Sequence, residues 1–355
     1  MTDESDEILS RVENGVGFVT LNRPKAINSL NQGMVNELSA VLAGWEQDAG
    51  IGAVVLSGAG ERGLCAGGDV VAIYHSARAN GVAARRFWHD EYLLNGQIGR
   101  FPKTYVALMD GIVMGGGVGL SAHGRHRVVT EKTKLAMPEV GLGFFPDVGG
   151  TFLLARSPSE VGTYFGLTGQ TMNGPDAVYA RFADAVVPSG KLAALREALI
   201  KLRAGVNSAE VKAAIDAFAT GETAGPVAAL QPQLDRWFAH DRMQDIVASL
   251  RRDGSDLAQA TLKTLNEKSP RGMVVALKLL RLARASSSLE ECLVREYRAA
   301  LEVFASDDFR EGVRAAVIDK DRNPRWSPPR IEDVTPEMVV PYFAEIGAGE
   351  LKFDQ

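Results

Sequence analysis

Cysteine is almost missing from this 355-residue chain: Cys65 and Cys292 stand far apart, and neither belongs to a CxxC pair. That excludes a disulfide framework and the common zinc and redox motifs, and it fits a reducing compartment. Positive charge is in deficit, with 39 Lys and Arg against 44 Asp and Glu, so nothing global draws the chain to nucleic acid or an anionic membrane. No apolar run approaches the ~20 residues that span a bilayer. The opening stretch MTDESDE is acidic, unlike a secretory signal or a basic transit peptide. A cytoplasmic location is expected. Several catalytic signatures are missing too. There is no Walker A sequence, no HExxH and no GxSxG elbow, since GLSAHG lacks the second glycine at the required spacing. His123 and His126 lie three apart without an acid triad, so they read as surface or supporting histidines and no metal is expected.

What is present describes a globular chain, 46% hydrophobic and 23% charged, long enough for one large domain or two ordinary ones. RVENGVGF holds an Asn-Gly pair between β-rich residues and predicts a hairpin. Behind Asn31, a candidate N-cap, Met34, Val35, Leu38, Val41, Leu42 and Trp45 fall at helical spacing. AVVLSG (53–58), TYVALMDG (104–111) and HRVVTE (126–131) are strand-like, with helical stretches between them, as in an α/β core. From about Pro158 onward alanine, leucine and charge dominate. PRGMVVALKLLRLARA and SLEECLVREYRAALEVF predict amphipathic helices, the second opening with a serine cap and early glutamates. SPPRIEDVTPEM predicts a loop leading to a last short helix. The expected division is a core over 1–205 and a helical region over 206–355.

Two glycine clusters follow predicted strands: SGAGERGLCAGGDV (57–70) and MDGIVMGGGVGLSAHG (109–124). Glycines let backbone approach a ligand and adopt positive φ, and small residues opening a helix leave N–H groups free to face an anion. Two such N–H groups make an oxyanion hole. Either cluster alone reads as readily as a turn for tight packing. Within the second, 117–122 matches GxGxxA, but three consecutive glycines run into it. Its acid, Glu131, follows Gly119 by 12 residues where a dinucleotide site has ~20, so a nicotinamide site is not expected.

The stretch AMPEVGLGFFPDVGGTF (136–152) carries Glu139 and Asp147 among glycines and apolar residues, with no Lys or Arg. Carboxylates are costly to bury unpaired. Locally, Glu139 after Pro138 could be a helix-start acid and Asp147 a turn residue. The alternative is that both do chemistry.

Taken together, LNRPKAINSL, LCAGGDV and GGGVGLSAHGRHRVVTEKTKLAMPEVGLGFFPDVGG, in that order, resemble the crotonase (enoyl-CoA hydratase/isomerase) superfamily. The resemblance implies an α/β fold, a ββα spiral core followed by C-terminal helices, and an acyl-CoA substrate. No cofactor is implied beyond the coenzyme A of that substrate. By motif position it assigns the oxyanion donors to Ala66 and Gly116, with Gly67, Gly68, Asp69 and Lys25 as substrate contacts. Arg23 and Lys278 are further candidates for the CoA phosphates. Hydratases of the family place one glutamate just after the triple glycine, where this chain has Gly119, and a second in the Pro-Glu motif, here Glu139. Asp147 in FPDVGG, Glu91 in HDEYLLN (89–95) and the run DFREGVRAAVIDKDRNPRW (308–326) resemble the 3-hydroxyisobutyryl-CoA hydrolase branch. The implied activity is thioester hydrolysis, with Glu139 as the principal catalytic group and Asp147 assisting. Alternatives are a hydratase or isomerase using Glu139 alone, or an acyl-CoA-binding protein without turnover. A homo-oligomer, trimer or larger, is the superfamily's habit.

Overall fold

The computed structural model describes residues 6–202 and 205–353; residues 1–5 of the acidic opening stretch lie outside them. The chain forms two compact units interleaved in sequence. The first comprises 1–68, 94–135 and 172–228, and the second 69–93, 136–171 and 229–355.

The first unit is built on a six-stranded sheet. β1 (Ile8–Glu13) and β2 (Val16–Leu21) form the hairpin, turning at Asn14 and Gly15, both at positive φ. β3 (Ala53–Gly58) then lies parallel to β2, with Val16 opposite Ala53. β4 (Gly63–Cys65) is a short strand that begins a second sheet. The same long–short sequence recurs in β5 (Thr104–Met109) with β6 (Ile112–Met114), and in β7 (His126–Val129) with β8 (Lys134–Ala136). β9 (Ala185–Val186) completes the large sheet, ordered β1-β2-β3-β5-β7-β9, while β4, β6 and β8 make the small one. All pairings in the large sheet after the hairpin are parallel. β3 and β5 are apolar on both faces, as a parallel strand covered on both sides must be. Val55, Val106 and Val128 on one face pack on Leu195, Leu199 and Val211 of the helices Leu192–Ile200 and Ser208–Asp216. This is the α/β core that the alternation implied.

The second Asn of LNRPKAINSL explains that motif. Asn28 is fully buried at φ +55. Its Oδ1 accepts from the Arg23 N–H at 2.9 Å, and its Nδ2 faces the carbonyls of Ala59, Gly63 and Leu64 at 3.0, 3.1 and 3.1 Å. The side chain thus ties one loop to the segment that leads into β4. Asn31 caps the helix Gln32–Gln47, accepting from the Met34 N–H at 2.9 Å.

The second unit is helical, with the C-terminal bundle that the sequence implied. The helices Pro270–Arg284 and Leu289–Glu302 are capped by Ser269 and Ser288. In the tail, the expected loop leads into short 3-10 turns at Ile331–Asp333, Pro336–Met338 and Val340–Phe343, and among the described residues no α-helix follows them. Pro336 and Pro341 withhold the N–H groups that a longer helix there would need. Among the described residues no helix is long and apolar enough to cross a membrane.

Asn28→Ala leaves buried carbonyls without a donor and a non-glycine residue at positive φ. It should lower the unfolding free energy by about 2–4 kcal/mol, read from the urea midpoint.

Candidate active site

In the first unit, the two glycine clusters meet. A Cβ on Gly67 (φ +103) would stand 3.3 Å from the Met114 carbonyl oxygen and 3.7 Å from the Gly116 nitrogen. One on Gly117 would stand 2.5 Å from the Cys65 carbonyl oxygen, so only glycines permit this approach. Gly115, at φ +49 and ψ −117, turns the chain into the helix Gly116–Ser121, whose first N–H groups have no intrahelical acceptor. The 117–122 match to a dinucleotide fingerprint is this helix.

The amides of the first glycine loop are not all free. The Ala66 N–H is already committed to the Ile27 carbonyl at 3.0 Å, whereas the Gly68 N–H has no partner among the described residues. Of the loop's amides, Gly68 is therefore the available one. Lys25 lies exposed in the 3-10 turn Pro24–Ala26, with its carbonyl accepting from Arg62. Arg23 is taken up by an ion pair with Glu7 and by a bond to the Ser29 carbonyl.

In the second unit, Glu91, Glu139 and Asp147 come together, buried to within 2, 7 and 6% exposure. Glu91 and Tyr92 project from the helix Val82–Gly99, so Glu91 does not belong to a solvated helix face. Asn95, in the same HDEYLLN run but counted in the first unit, is fully buried, and neither polar atom of its side chain has a partner. Glu139 opens the 3-10 turn Glu139–Leu142. Asp147 precedes a sharp turn in which Val148 (φ +52) and Gly149 (φ +76) are both left-handed. A β-branched residue there carries strain of about 1–3 kcal/mol that its surroundings must hold.

Two groups that the sequence reading missed hold Asp147 and its turn. The Tyr92 hydroxyl donates to Asp147 Oδ2 at 2.6 Å. Glu296, fully buried on the helix Leu289–Glu302, accepts from the Gly149 N–H at 2.7 Å, the Thr151 N–H at 3.1 Å and the Thr151 hydroxyl. Tyr92 at least lay beside Glu91 in HDEYLLN. Glu296 sat in a helix recognised for its amphipathicity and its serine cap, and nothing local marked this glutamate. The C-terminal run buttresses the Glu139 turn: a Cβ on Gly312 would meet Leu142 at 2.4 Å, and one on Gly143 would meet Asp308 at 2.3 Å. Asp308 is itself fixed by the Ser269 hydroxyl and the Ser327 N–H. Phe144 stacks on Phe145 and Trp88, which accounts for the oily residues between the two acids.

Burial dominates the electrostatics. It drives Glu91 and Glu139 well above the usual carboxylate range, and the neighbouring Asp147 charge pushes both further. Asp147 is raised to about 7 by burial, against the lowering bond from Tyr92. Glu296 also reaches about 7 through burial, even with three donors. Glu91 Oε1 and Glu139 Oε2 are buried without a hydrogen-bond partner. Such a cluster holds protons at neutral pH and has free polar atoms for a ligand. Asp69 is not among these acids; it caps the helix Val70–Ala79, accepting from the Ala72 N–H at 3.2 Å. Lys278 lies over the Phe343 ring, 4.1 Å from its centroid.

The family model for enoyl-CoA hydratase/isomerase matches residues 16–343, and the chain belongs to that family, the crotonase superfamily. It is an enzyme of the CoA-thioester class. The mitochondrial 3-hydroxyisobutyryl-CoA hydrolase of Gallus gallus is 39% identical over 359 residues, covering 99% of this chain and 92% of its own. A solved structure described as a carnitinyl-CoA dehydratase from Mycobacterium thermoresistibile is 48% identical with a TM-score of 0.92, covering 99% of each chain. Another, described as an enoyl-CoA hydratase from Rhodobacter sphaeroides 2.4.1, is 39% identical with a TM-score of 0.89, covering 98% of this chain and 100% of its own. The cytoplasmic expectation is corrected here: the Gallus gallus enzyme and seven further vertebrate relatives, 37–39% identical, are mitochondrial by name. Cysteine content and net charge suit a mitochondrial interior as well as cytoplasm, so composition had no power to separate the two.

A carboxyl whose pKa is raised by folding holds its proton more tightly folded than unfolded. Its contribution favours folding below the ordinary range, 3.8 for Asp147, and is lost as pH rises to about 7. Unfolding free energy should therefore fall across that interval. Asp147→Asn should flatten the fall by up to ~1.4 kcal/mol per pH unit, read by urea unfolding at a series of pH values. An unchanged slope would mean that Asp147 is ionised throughout.

Proposed function

We propose that this enzyme hydrolyses a short β-hydroxyacyl-CoA thioester, 3-hydroxyisobutyryl-CoA first among them. The observation that carries the reading is the pairing of Glu139 with Asp147 in one buried carboxyl cluster, in a chain whose other hydratase position is Gly119. Hydration of a double bond needs one group to deliver water and another to handle the proton at the neighbouring carbon. A glycine supplies neither. Hydrolysis needs one group at the carbonyl carbon and donors for the oxyanion.

Glu139 is the group assigned to the carbonyl carbon, either attacking it to give a mixed anhydride and expel the thiolate, or taking the proton of an attacking water. A carboxylate kept out of water is a stronger base and nucleophile once ionised, and a proton source when it is not. Asp147 takes the acyl hydroxyl or positions the hydrolytic water, with the unpartnered Glu91 Oε1 adding a second polar contact. The oxyanion role goes to the N–H groups of Gly116 and Gly68, the latter replacing Ala66 because the Ala66 amide is occupied. A homo-oligomer, trimer or larger, is part of the same reading.

The hydratase reading keeps one specific support: the two solved structures at 48% and 39% identity are described as a dehydratase and a hydratase. Thiol release and enoyl absorbance separate the two. With 3-hydroxyisobutyryl-, 3-hydroxypropionyl- and crotonyl-CoA as substrates, free thiol should appear from the hydroxyacyl thioesters, and the enoyl absorbance of crotonyl-CoA should persist. Loss of that absorbance without thiol would sink the hydrolase reading. Glu139→Gln should reduce thiol release by at least ~10²–10⁴-fold; near-normal turnover would remove Glu139 from the chemistry.

A further inference from the structure

We propose that Glu296 is a positioning residue for the hydrolysis, acting on the reaction through the turn that carries Asp147. The inference rests on the reading in which Asp147 takes part.

Three observations lead to it. The turn after Asp147 places two successive residues, Val148 and Gly149, in the left-handed region, and the first is β-branched. Such a conformation persists only where neighbours over-determine it. Within the turn, the Gly150 N–H closes on the Asp147 carbonyl at 2.6 Å. From the opposite side, the two oxygens of Glu296 divide the work: Oε2 takes the Gly149 N–H, and Oε1 takes the N–H and hydroxyl of Thr151. The groups bracketed by this carboxylate are thus those immediately following Asp147, while Tyr92 holds the Asp147 side chain itself. A solvent-free acid is a demanding way to pin a turn. A neutral amide could not accept all three, because in either orientation its NH₂ end would meet a backbone N–H, that of Gly149 or that of Thr151, donor to donor.

Around Asp147, the titratable groups are Tyr92 and Glu91 from the helix Val82–Gly99, Glu139 from its 3-10 turn, and Glu296; Arg295 acts on Glu296 from the same helix. The Glu296 charge raises both Asp147 and Glu139. Its neutralisation therefore lets Asp147 ionise at lower pH.

The test is Glu296→Gln on the full chain, assayed by thiol release from 3-hydroxyisobutyryl-CoA. The expected result is a fall in kcat of ~10²-fold from misplacement of Asp147, with KM within about threefold, and an acid limb of the kcat profile shifted to lower pH. Adding Val148→Gly removes the need to hold a β-branched residue at positive φ, so the double variant should recover about tenfold of the lost kcat. Wild-type kcat with an unshifted limb in Glu296→Gln overturns the proposal, as does a double variant no better than the single one. If Glu296→Gln does not fold, Thr151→Val carries the test. It keeps the charge and removes one donor, so kcat should fall at unchanged KM with no shift of the limb, and unchanged kcat overturns the proposal. Asp147→Asn run alongside distinguishes the two levels: if it keeps full activity, the Asp147 reading itself has failed, independently of Glu296.

Discussion

Taking a carboxyl group out of water is expensive, and the second unit does so with Glu91, Glu139, Asp147 and Glu296 together. The Arg295 charge lowers Glu296, but by less than the hydrogen bonds from Thr151 and Gly149 do, and burial outweighs them all. The group therefore lives by holding protons and by a small set of hydrogen bonds. Tyr92 serves Asp147, while Gly149 and Thr151 serve Glu296. The surrounding features follow from that constraint. Phe144, Phe145 and Trp88 form the dry wall, and the turn of Val148 and Gly149 supplies the donors that let a buried acid remain where it is.

The architecture explains why the chemistry-bearing loops come in a series. Three times a long strand of the large sheet is followed by a short strand of the small one, and three times the residues of interest come directly after the short strand. Cys65 leads to Gly67 and Gly68, Met114 to Gly115 and Gly116, and Ala136 to Pro138 and Glu139. A repeated supersecondary unit thus places the two glycine loops and the Glu139 turn at equivalent positions along the chain. The C-terminal run contributes indirectly. Gly312 and Asp308 pack on the turn of Glu139, so this segment bears on where that acid is held.

Relatives of comparable identity bear hydrolase, dehydratase and hydratase descriptions, so overall similarity does not separate these reactions. The separation rests on single residues. In the reading proposed above, those are Gly119, where the resemblance implies a second hydratase acid, and Asp147, which stands in the buried cluster with Glu139.

Much of this protein is legible in its sequence because the signals are local. The Asn-Gly hairpin, the caps at Asn31 and Ser288, the buried parallel strands and the glycine loops each depend on residues a few positions apart. Glu139 and Asp147 could be singled out for the same reason, as acids in an oily run without a cation. The sequence named Glu91 through the resemblance alone, and it assigned the donating amide of the first glycine loop to Ala66. Both depend on distant segments: the Ala66 N–H is consumed by Ile27, and the buried Glu91 carboxyl is pushed up by the Asp147 charge. Glu296 shows the limit most plainly. It stands 147 positions from the Gly149 amide it accepts from, and in its own helix it is one more glutamate. Periodicity and capping report on neighbours along the chain, whereas the state of a buried acid is set by neighbours in space, and only the folded structure supplies those.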